Sequence, residues 1–293
     1  MPAVIGRAFD DPSDAQLGRA VDELLTLHRD RTSGADSVVL LPEAHYPFHP
    51  STGLVTAPTV VRAAVESLSR SIDPGRLTVA IAGSPSSPAP QVAEYLGYPD
   101  LLADTVAHLA FLGETRQTFD DEGVAVPSLL ADSLVVTVPT LRRSPAVGLI
   151  AGMGTLARAL TVTPDAAAIA TATSVVSPGV TLLDGSYVFD GTPSKPSFLL
   201  ASDDAEAVDQ VCSELLGLDS DAVPYLDAPP YDPASVLEGV RLRSVKESIR
   251  TGARRTDGGS EPNGFVTAGY RLYSRLSGDA LPPQFLDRGD SGE

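Results

Sequence analysis

The sequence contains little cysteine, lysine or tryptophan. Among its 293 residues there is one cysteine, Cys212, there are two lysines, and there is no tryptophan. A single cysteine excludes a disulfide within the chain, Cys-ligated zinc fingers and an iron–sulfur cluster held by four of its own cysteines. A chain of this length can bury roughly 75% of its unfolded surface, so its core needs neither a metal nor a disulfide.

Long apolar runs are also absent. No segment approaches 18 consecutive apolar residues, so we expect no transmembrane helix and no membrane partner. The first residues, MPAVIGRAFDD, lack the basic region and apolar stretch of a signal peptide. The expected location is therefore the cytoplasm.

The charge of the chain is strongly one-sided. There are 38 acidic residues against 21 basic ones, for a formal net charge of −17, and only Lys195 and Lys246 are lysines. An acidic surface nearly free of lysine is typical of proteins in molar salt, where a Debye length of about 3 Å screens self-repulsion. A GC-rich genome would replace lysine by arginine but would not produce the acidic excess. We therefore predict a halophilic protein, and without a basic stripe we expect no nucleic-acid partner.

Short apolar runs alternate with amphipathic segments along most of the chain. Strands are predicted at 37–41, 77–82, 106–111, 134–138, 180–184, 198–201 and near 240–243. Helices are predicted at 14–31, 59–72, 91–104, 128–132, 146–160, 165–173, 202–216 and 265–277. The alternation indicates an α/β fold with a mostly parallel sheet and helices on both faces. We assign residues 1–250 to a single domain and 251–293 to a polar, partly disordered extension.

Acidic and imidazole side chains follow the first predicted strand. Ligands of open parallel sheets bind outside the carboxyl ends of the strands, which makes Glu43, His45 and His49 candidate catalytic residues. Their side chains suit zinc, nickel or iron, or proton transfer. Two prolines interrupt the segment, so an ordinary exposed loop is the alternative.

Candidate anion-binding residues follow the next strands. In the segment Gly83–Ser87, the Ser84 hydroxyl and the backbone N–H groups could hold phosphate or carboxylate. The segment lacks the lysine of a P-loop and the spacing of GxGxxG. Arg142 and Arg143, in a predicted loop at 139–145, could clamp an anion, or could pair with surface acids instead.

Three further polar residues complete the candidates. Asp184 ends the fifth strand and is either catalytic or a cap for the following turn. Asp190, in a glycine-flanked loop, and Thr56, two residues before Pro58 and a possible cap of the helix predicted to start there, are candidate ligand-binding residues. No GxSxG follows a strand, which argues against a Ser-His-Asp hydrolase.

The order of several segments resembles the domain of unknown function 362 family over roughly 36–243. The segments are VVLLPEAHYPFHPSTGLVTAP, LTVAIAGSP, EYLGYPDLL, LVVTVPTLRRSPAVGLIAGMGTLA, VTLLDGSYVFDGTP and LLASDDAEAVDQVCSELLGLDSDAVPYL. The resemblance implies an α/β domain with a site on the strand-end loops. Many members carry a ferredoxin-like iron–sulfur module, which this chain does not contain. The family also looks distantly like the N-terminal part of nickel-dependent lactate racemase.

The chain departs from the family pattern where relatives carry lysine, asparagine and histidine. The family's Lys-Pro-Asn is Leu-Pro-Glu at 41–43, its Thr-His-Pro is Thr-Ala-Pro at 56–58, and its Lys-x-His is replaced within 141–144. The residues that match are Asp184, Gly191, Pro193 and Asp209. The resemblance therefore implies a divergent member with a changed ligand or with lost chemistry.

Three functions follow as hypotheses. The first is binding of a small anionic ligand or a partner protein at the strand-end loops, through Ser84, Arg142 and Arg143. The second is a metal-dependent or redox enzyme that uses Glu43, His45, His49 and Asp184. The third is a subunit of a larger complex. The sequence identifies no cofactor and no dedicated metal ligand.

Overall fold

The computed structural model describes residues 3–73, 75–115, 117–119, 125–160, 165–227 and 232–256. The strands in this part of the chain are β1 (Val4–Ala8), β2 (Val38–Pro42), β3 (Leu77–Ile81), β4 (His108–Phe111), β5 (Gln117–Phe119), β6 (Ala125–Pro127), β7 (Leu134–Val138), β8 (Thr140–Ser144), β9 (Gly148–Ile150), β10 (Val180–Phe189), β11 (Pro193–Ser194), β12 (Phe198–Ser202) and β13 (Leu237–Glu238). The helices are α1 (Asp14–Thr26), α2 (Arg29–Thr32), α3 (Pro58–Leu68), α4 (Ala89–Tyr95), α5 (Tyr98–Leu102), α6 (Ser128–Ala131), α7 (Gly152–Leu160), α8 (Ala166–Val175), α9 (Ala205–Leu216) and α10 (Leu242–Thr256). None of these helices is long and apolar enough to cross a membrane.

The main sheet has the strand order β13-β1-β12-β10-β7-β2-β3-β4. Neighbours from β10 to β4 are parallel, whereas β12 is antiparallel to both β10 and β1. The parallel strands are short apolar runs because both of their faces are covered. The predicted α/β class with a mostly parallel sheet is confirmed.

Two hydrophobic cores lie on the two faces of this sheet. Along β2, Val39 and Leu41 belong to one core, while Val38 and Leu40 belong to the other. This is the two-residue alternation of a strand. The first core also contains side chains of α7, α8, α9 and α10, and the second contains side chains of α1, α3, α4 and α5. Helices therefore cover both faces, as predicted.

The order of the parallel strands reverses next to β2. From β2 the chain builds β3 and then β4 on one side, and it later places β7 on the other side. Ligand sites of open α/β sheets form at such a switch point, outside the carboxyl ends of the strands. The residues that follow β2 and β7 therefore meet at this crevice.

The prediction of a loop at 139–145 and of a helix from 146 is wrong. Residues Thr140–Ser144 form β8, which pairs with β10 and β9, and α7 begins only at Gly152. Gly148 has a φ of 80°, and a Cβ there would lie 1.9 Å from the Ala222 carbonyl oxygen. Only glycine fits this turn, which folds β9 back onto β8 and buries its apolar residues.

The sequence also misplaced the ends of the sheet. The strand β1 was not predicted, and the strand predicted at 180–184 continues to Phe189. Instead of a strand near 240–243, the chain forms β13 and then α10. The helix α10 runs across residue 250, and the predicted boundary between a domain and a C-terminal extension at that residue stays a prediction. The helix predicted at 265–277 lies outside the described residues.

Candidate functional site

Glu43, the first residue after β2, lies in the crevice between β2 and β7. Its backbone N–H donates to the Val138 carbonyl at 3.1 Å and lies 2.9 Å from the Thr56 Oγ1. The Thr56 hydroxyl in turn donates to the same Val138 carbonyl at 2.5 Å. Thr56 is fully buried, and it joins the ends of the two strands and thereby fixes the position of Glu43.

The Glu43 carboxylate collects side chains from three separate segments. Its Oε2 accepts a hydrogen bond from the Thr155 hydroxyl at 2.6 Å. Its Oε1 lies 3.1 Å from His45 Nδ1, 3.4 Å from Arg158 Nε and 3.5 Å from Arg142 Nη2. The switch point thus brings together the loop after β2, strand β8 and helix α7.

The surrounding cations keep this carboxylate ionised. Burial acts to raise the pKa of Glu43, but the neighbouring His45, Arg158 and Arg142 outweigh it and hold the pKa well below its usual range. Burial, followed by the charge of Arg158, lowers the pKa of His45 despite the opposing effect of Glu43. The two arginines supply the permanent positive charge next to the carboxylate.

The cluster contains one carboxylate and two guanidinium groups, of which that of Arg158 is buried and that of Arg142 partly buried. The side chains of Arg142 and Arg158 are 13% and 7% exposed. Among the described residues, only the Glu43 carboxylate lies within 4.0 Å of either guanidinium, and neither Nε forms a hydrogen bond. Burial, together with the charge of Arg158, lowers the pKa of Arg142 to about 10. One positive charge is left without a partner, an arrangement that costs several kcal/mol.

An aromatic pair covers one side of the cluster. The guanidinium carbon of Arg158 lies 5.2 Å from the centre of the Tyr46 ring, which stacks on Phe48 at 5.5 Å. A cation above a ring face is attracted by the ring quadrupole. This contact orients Arg158 but does not neutralise it.

His45 and Arg158 line a cavity of about 430 Å³, which we call the strand-end pocket. The loop after β3, including Gly83 and Ser84, forms part of its wall. Gly83 has a φ of 64°, and a Cβ there would lie 2.5 Å from the Ala89 nitrogen, so the turn requires glycine. The other lining residues are mostly apolar: Ala82, Pro85, Pro88, Ala89, Pro90, Phe111, Leu112, Gly113, Glu114, Gln117, Pro127, Ala159 and Leu160.

Two of the four predicted catalytic residues lie apart from this cluster. His49 Nδ1 accepts from the Ser51 nitrogen at 3.2 Å and contacts the Ser51 hydroxyl at 2.7 Å. Asp184 accepts hydrogen bonds from the nitrogen of Ala57, the residue before α3, at 2.8 Å and from the nitrogen of Ser186, two residues further along β10, at 2.9 Å. Burial raises the pKa of Asp184 although both bonds oppose it. In the described ranges, no three His, Cys, Asp or Glu side chains are arranged to hold a metal ion.

The two adjacent arginines point to different partners. Successive side chains of a strand face opposite sides, and Arg142 contacts Glu43 while Arg143 pairs with Asp190. Arg143 also donates to the Leu216 carbonyl at 2.9 Å. The two arginines therefore do not meet at Ser84, and Arg158 is the arginine that lines a pocket together with Ser84.

The sequence reasoning missed the contribution of α7. Thr155 and Arg158, spaced i and i+3, lie on the same face of a helix that is otherwise apolar. An arginine in an apolar helix, with a hydroxyl one turn earlier, was the feature of the sequence that could have indicated a contribution of this helix to the site. Its meaning depended on knowing that α7 packs over the switch point.

A buried carboxylate fixes the start of α7. Asp209 accepts hydrogen bonds from the nitrogens of Gly152 at 2.7 Å and Met153 at 3.2 Å, and from the Tyr225 hydroxyl at 3.1 Å. Burial raises the pKa of Asp209 to about 7, although these hydrogen bonds act to lower it. These hydrogen bonds tie Asp209 to the first residues of α7, so Asp209 holds the helix that presents Thr155.

The model of the family described as Domain of unknown function (DUF362) matches residues 38–214. The match covers more than half of the chain, so the protein belongs to this family. The matched range includes Glu43, His45, Arg142, Arg158 and Asp209. Comparisons with curated proteins and with solved structures gave no match. The family description states no activity, so membership by itself assigns no reaction.

Proposed function

We propose that this protein binds a small organic anion in the strand-end pocket. The observation that supports this most directly is that the buried Arg158 and the partly buried Arg142 share one carboxylate. Removing a charge from water and leaving it unpaired is unfavourable. An anion next to Arg158 would neutralise the unpaired positive charge of the cluster. Its binding free energy would therefore include the removal of the cost of burying that charge without a partner.

The pocket also indicates what the rest of the ligand is like. A volume of about 430 Å³ lies within the usual range for small-molecule sites, which are mostly apolar with few polar groups. Phe111, Leu112 and several prolines also line the pocket. We therefore expect an acid group beside Arg158 and an apolar body against these walls, with Ser84 as a further hydrogen-bonding group.

The alternatives have less support. A metal centre would need more ligands than Glu43 and His45, and the carboxylate oxygens already face one hydroxyl, one imidazole and two guanidinium groups. A complex subunit would expose a broad apolar face. The exposed large apolar side chains of the described residues are Leu27, Tyr95 and Val106, and isolated apolar residues are common on protein surfaces.

Arg158→Gln tests the proposal. Charge-assisted hydrogen bonds contribute roughly 1.5–3 kcal/mol, so phenylacetate should bind about ten- to a hundredfold more weakly to this variant. Titration calorimetry measures the affinity, and a ligand-dependent rise in Tm gives an independent readout. Arg76→Gln, at an exposed arginine, is the matched control and should bind like the native protein.

The same experiment has a clear contrary result. Equal affinity of native protein and a folded Arg158→Gln variant for phenylacetate would overturn the proposal. If that variant does not fold, Arg158→Lys keeps the charge but loses the planar donors. It should still bind phenylacetate, with reduced affinity.

We also propose that the protein is halophilic and works in a salt-rich cytoplasm. The support is the net charge of −17 together with the scarcity of lysine. A buried site is screened by salt much less than exposed charges are. Anion binding in the strand-end pocket is therefore compatible with such an environment.

A further inference from the structure

Glu114 brings a second charged side chain to the strand-end pocket. It ends the short 3₁₀ turn Leu112–Glu114 that directly follows β4, and it lines the pocket together with Arg158. The residue is exposed, and no hydrogen bond or ion pair joins its carboxylate to another described residue. An exposed carboxylate is thus available to a molecule in this pocket.

The pocket spans the carboxyl ends of three neighbouring parallel strands. His45 follows β2, Ser84 follows β3 and Glu114 follows β4. Adjacent strands lie about 4.8 Å apart, so the ends of β2 and β4 are about 10 Å apart. Arg158 contacts Glu43, the residue that directly follows β2. A single small molecule can therefore contact Arg158 on one side and Glu114 on the other.

The charges that line the pocket have opposite signs. Apart from His45, the titratable side chains among the described lining residues are those of Arg158 and Glu114. A ligand that carries only negative charge is attracted by Arg158 but repelled by Glu114. A ligand that also carries a cation replaces this repulsion with a second ion pair.

We infer that the ligand of the strand-end pocket is a zwitterion, an amino acid whose carboxylate pairs with Arg158 and whose ammonium group pairs with Glu114. This inference rests on the proposed function, because it keeps the anionic group at Arg158 and adds a cationic group to the same ligand. Phe111 and Leu112 are among the apolar lining residues, so the rest of the ligand is apolar. A volume of about 430 Å³ is sufficient for one such amino acid.

Two kinds of amino acid share this chemistry, and matched pairs of probes separate them. In an α-amino acid both charged groups are attached to one carbon, whereas in an ω-amino acid an apolar chain lies between them. L-Phenylalanine differs from 3-phenylpropionate by one ammonium group, and 6-aminohexanoate differs from hexanoate in the same way. Each pair therefore isolates the contribution of the cation.

Titration calorimetry at about pH 7, where amino and carboxyl groups are both ionised, compares the members of each pair at constant ionic strength. Because Glu114 is exposed, we expect the ammonium member of at least one pair to bind about three- to fivefold more tightly than its partner. A preference for phenylalanine identifies an α-amino acid, and a preference for 6-aminohexanoate identifies an ω-amino acid. Equal or weaker binding of the ammonium member in both pairs would overturn the inference and leave anion binding intact. If none of the four probes binds, the inference and the proposed function both fail.

Glu114→Gln tests whether Glu114 is the partner of the ammonium group. The amide keeps the shape of the side chain and removes its charge, so the preference should fall to about onefold. Glu94→Gln, at an exposed glutamate of α4 that does not line the pocket, removes the same charge and should keep the preference. This control accounts for the general attraction of cations to a protein with a net charge of −17. A Glu114→Gln variant that keeps the full preference would contradict the inference.

Glu114→Lys extends the test by reversing the charge. The ammonium group would then be repelled, so the pair that shows the preference in the native protein should bind in the reverse order. Surface substitutions usually change the free energy of unfolding little, so this variant should fold. An unchanged order of affinities in the Glu114→Lys variant would overturn the inference.

Discussion

Glu43 organises the site at the scale of single residues. Its backbone is tied to Val138 and Thr56, and its carboxylate contacts one hydroxyl, one imidazole and two guanidinium groups. With 1% exposure it has no water to replace these partners. Both arginines therefore depend on this single negative charge.

Glu43→Gln should destabilise the protein by about 3–5 kcal/mol, because it leaves the buried Arg158 and the partly buried Arg142 without a counterion while keeping the side-chain shape. Urea denaturation measures the change in the free energy of unfolding. Glu66→Gln removes an exposed partner of Arg62 and should cost far less. Part of the loss should be recovered by phenylacetate, because the bound anion replaces the lost charge. Equal effects of the two substitutions would contradict this role of Glu43.

The residues of the site differ in how far the sequence could predict them. Glu43 and His45 were found because they directly follow a buried strand, where ligands of parallel sheets bind. Arg158 was missed because it reaches the site through tertiary packing of a helix, and the Thr155 of that helix is 112 residues from Glu43. His49 and Arg143 are close in sequence to residues of the site, but the backbone directs their side chains elsewhere. His49 bonds to Ser51, and Arg143 pairs with Asp190.

At the scale of elements, α7 links the core to the site. Asp209 caps its first residues, and its later residues carry Thr155 and Arg158 to Glu43. The strands β2, β3 and β7 were predictable from continuous apolar runs. The excursion β8–β9 was not, because a turn at Gly148 and contacts with the core override the weak local pattern of that segment.

Asp209 should make stability fall as pH rises. Its pKa is raised from 3.8 to about 7 in the folded state, so between these values the folded protein binds the proton that the unfolded chain has lost. The free energy of unfolding therefore decreases over this window and levels off above about pH 7. Asp209→Asn removes this contribution, so native stability minus variant stability should fall between pH 4 and pH 7. Urea denaturation at several pH values measures it, and a constant difference would contradict the assignment.

At the scale of the whole molecule, the acidic excess is the dominant property. The net charge is −17, and most of the ion pairs seen in the structure join partly exposed side chains. Exposed pairs stabilise a protein by at most about 1 kcal/mol. Screening by salt is therefore the more effective way to offset the repulsion among acidic groups.

The free energy of unfolding should increase as potassium chloride is raised from about 0.1 M to about 2 M, because screening weakens repulsion within the compact state. Urea denaturation at each salt concentration measures the change. Raising sucrose instead of salt controls for general exclusion of a cosolute. Full stability without added salt, and no further gain with it, would contradict salt adaptation.

The location of a bound anion tests the central claim most directly. We would determine the crystal structure of the protein with phenylphosphonate, which combines an anionic group and an apolar ring. We expect the phosphonate within hydrogen-bond distance of Arg158, with the ring against Phe111 and Leu112. An empty strand-end pocket at saturating ligand, or binding only at a surface site elsewhere, would contradict the claim.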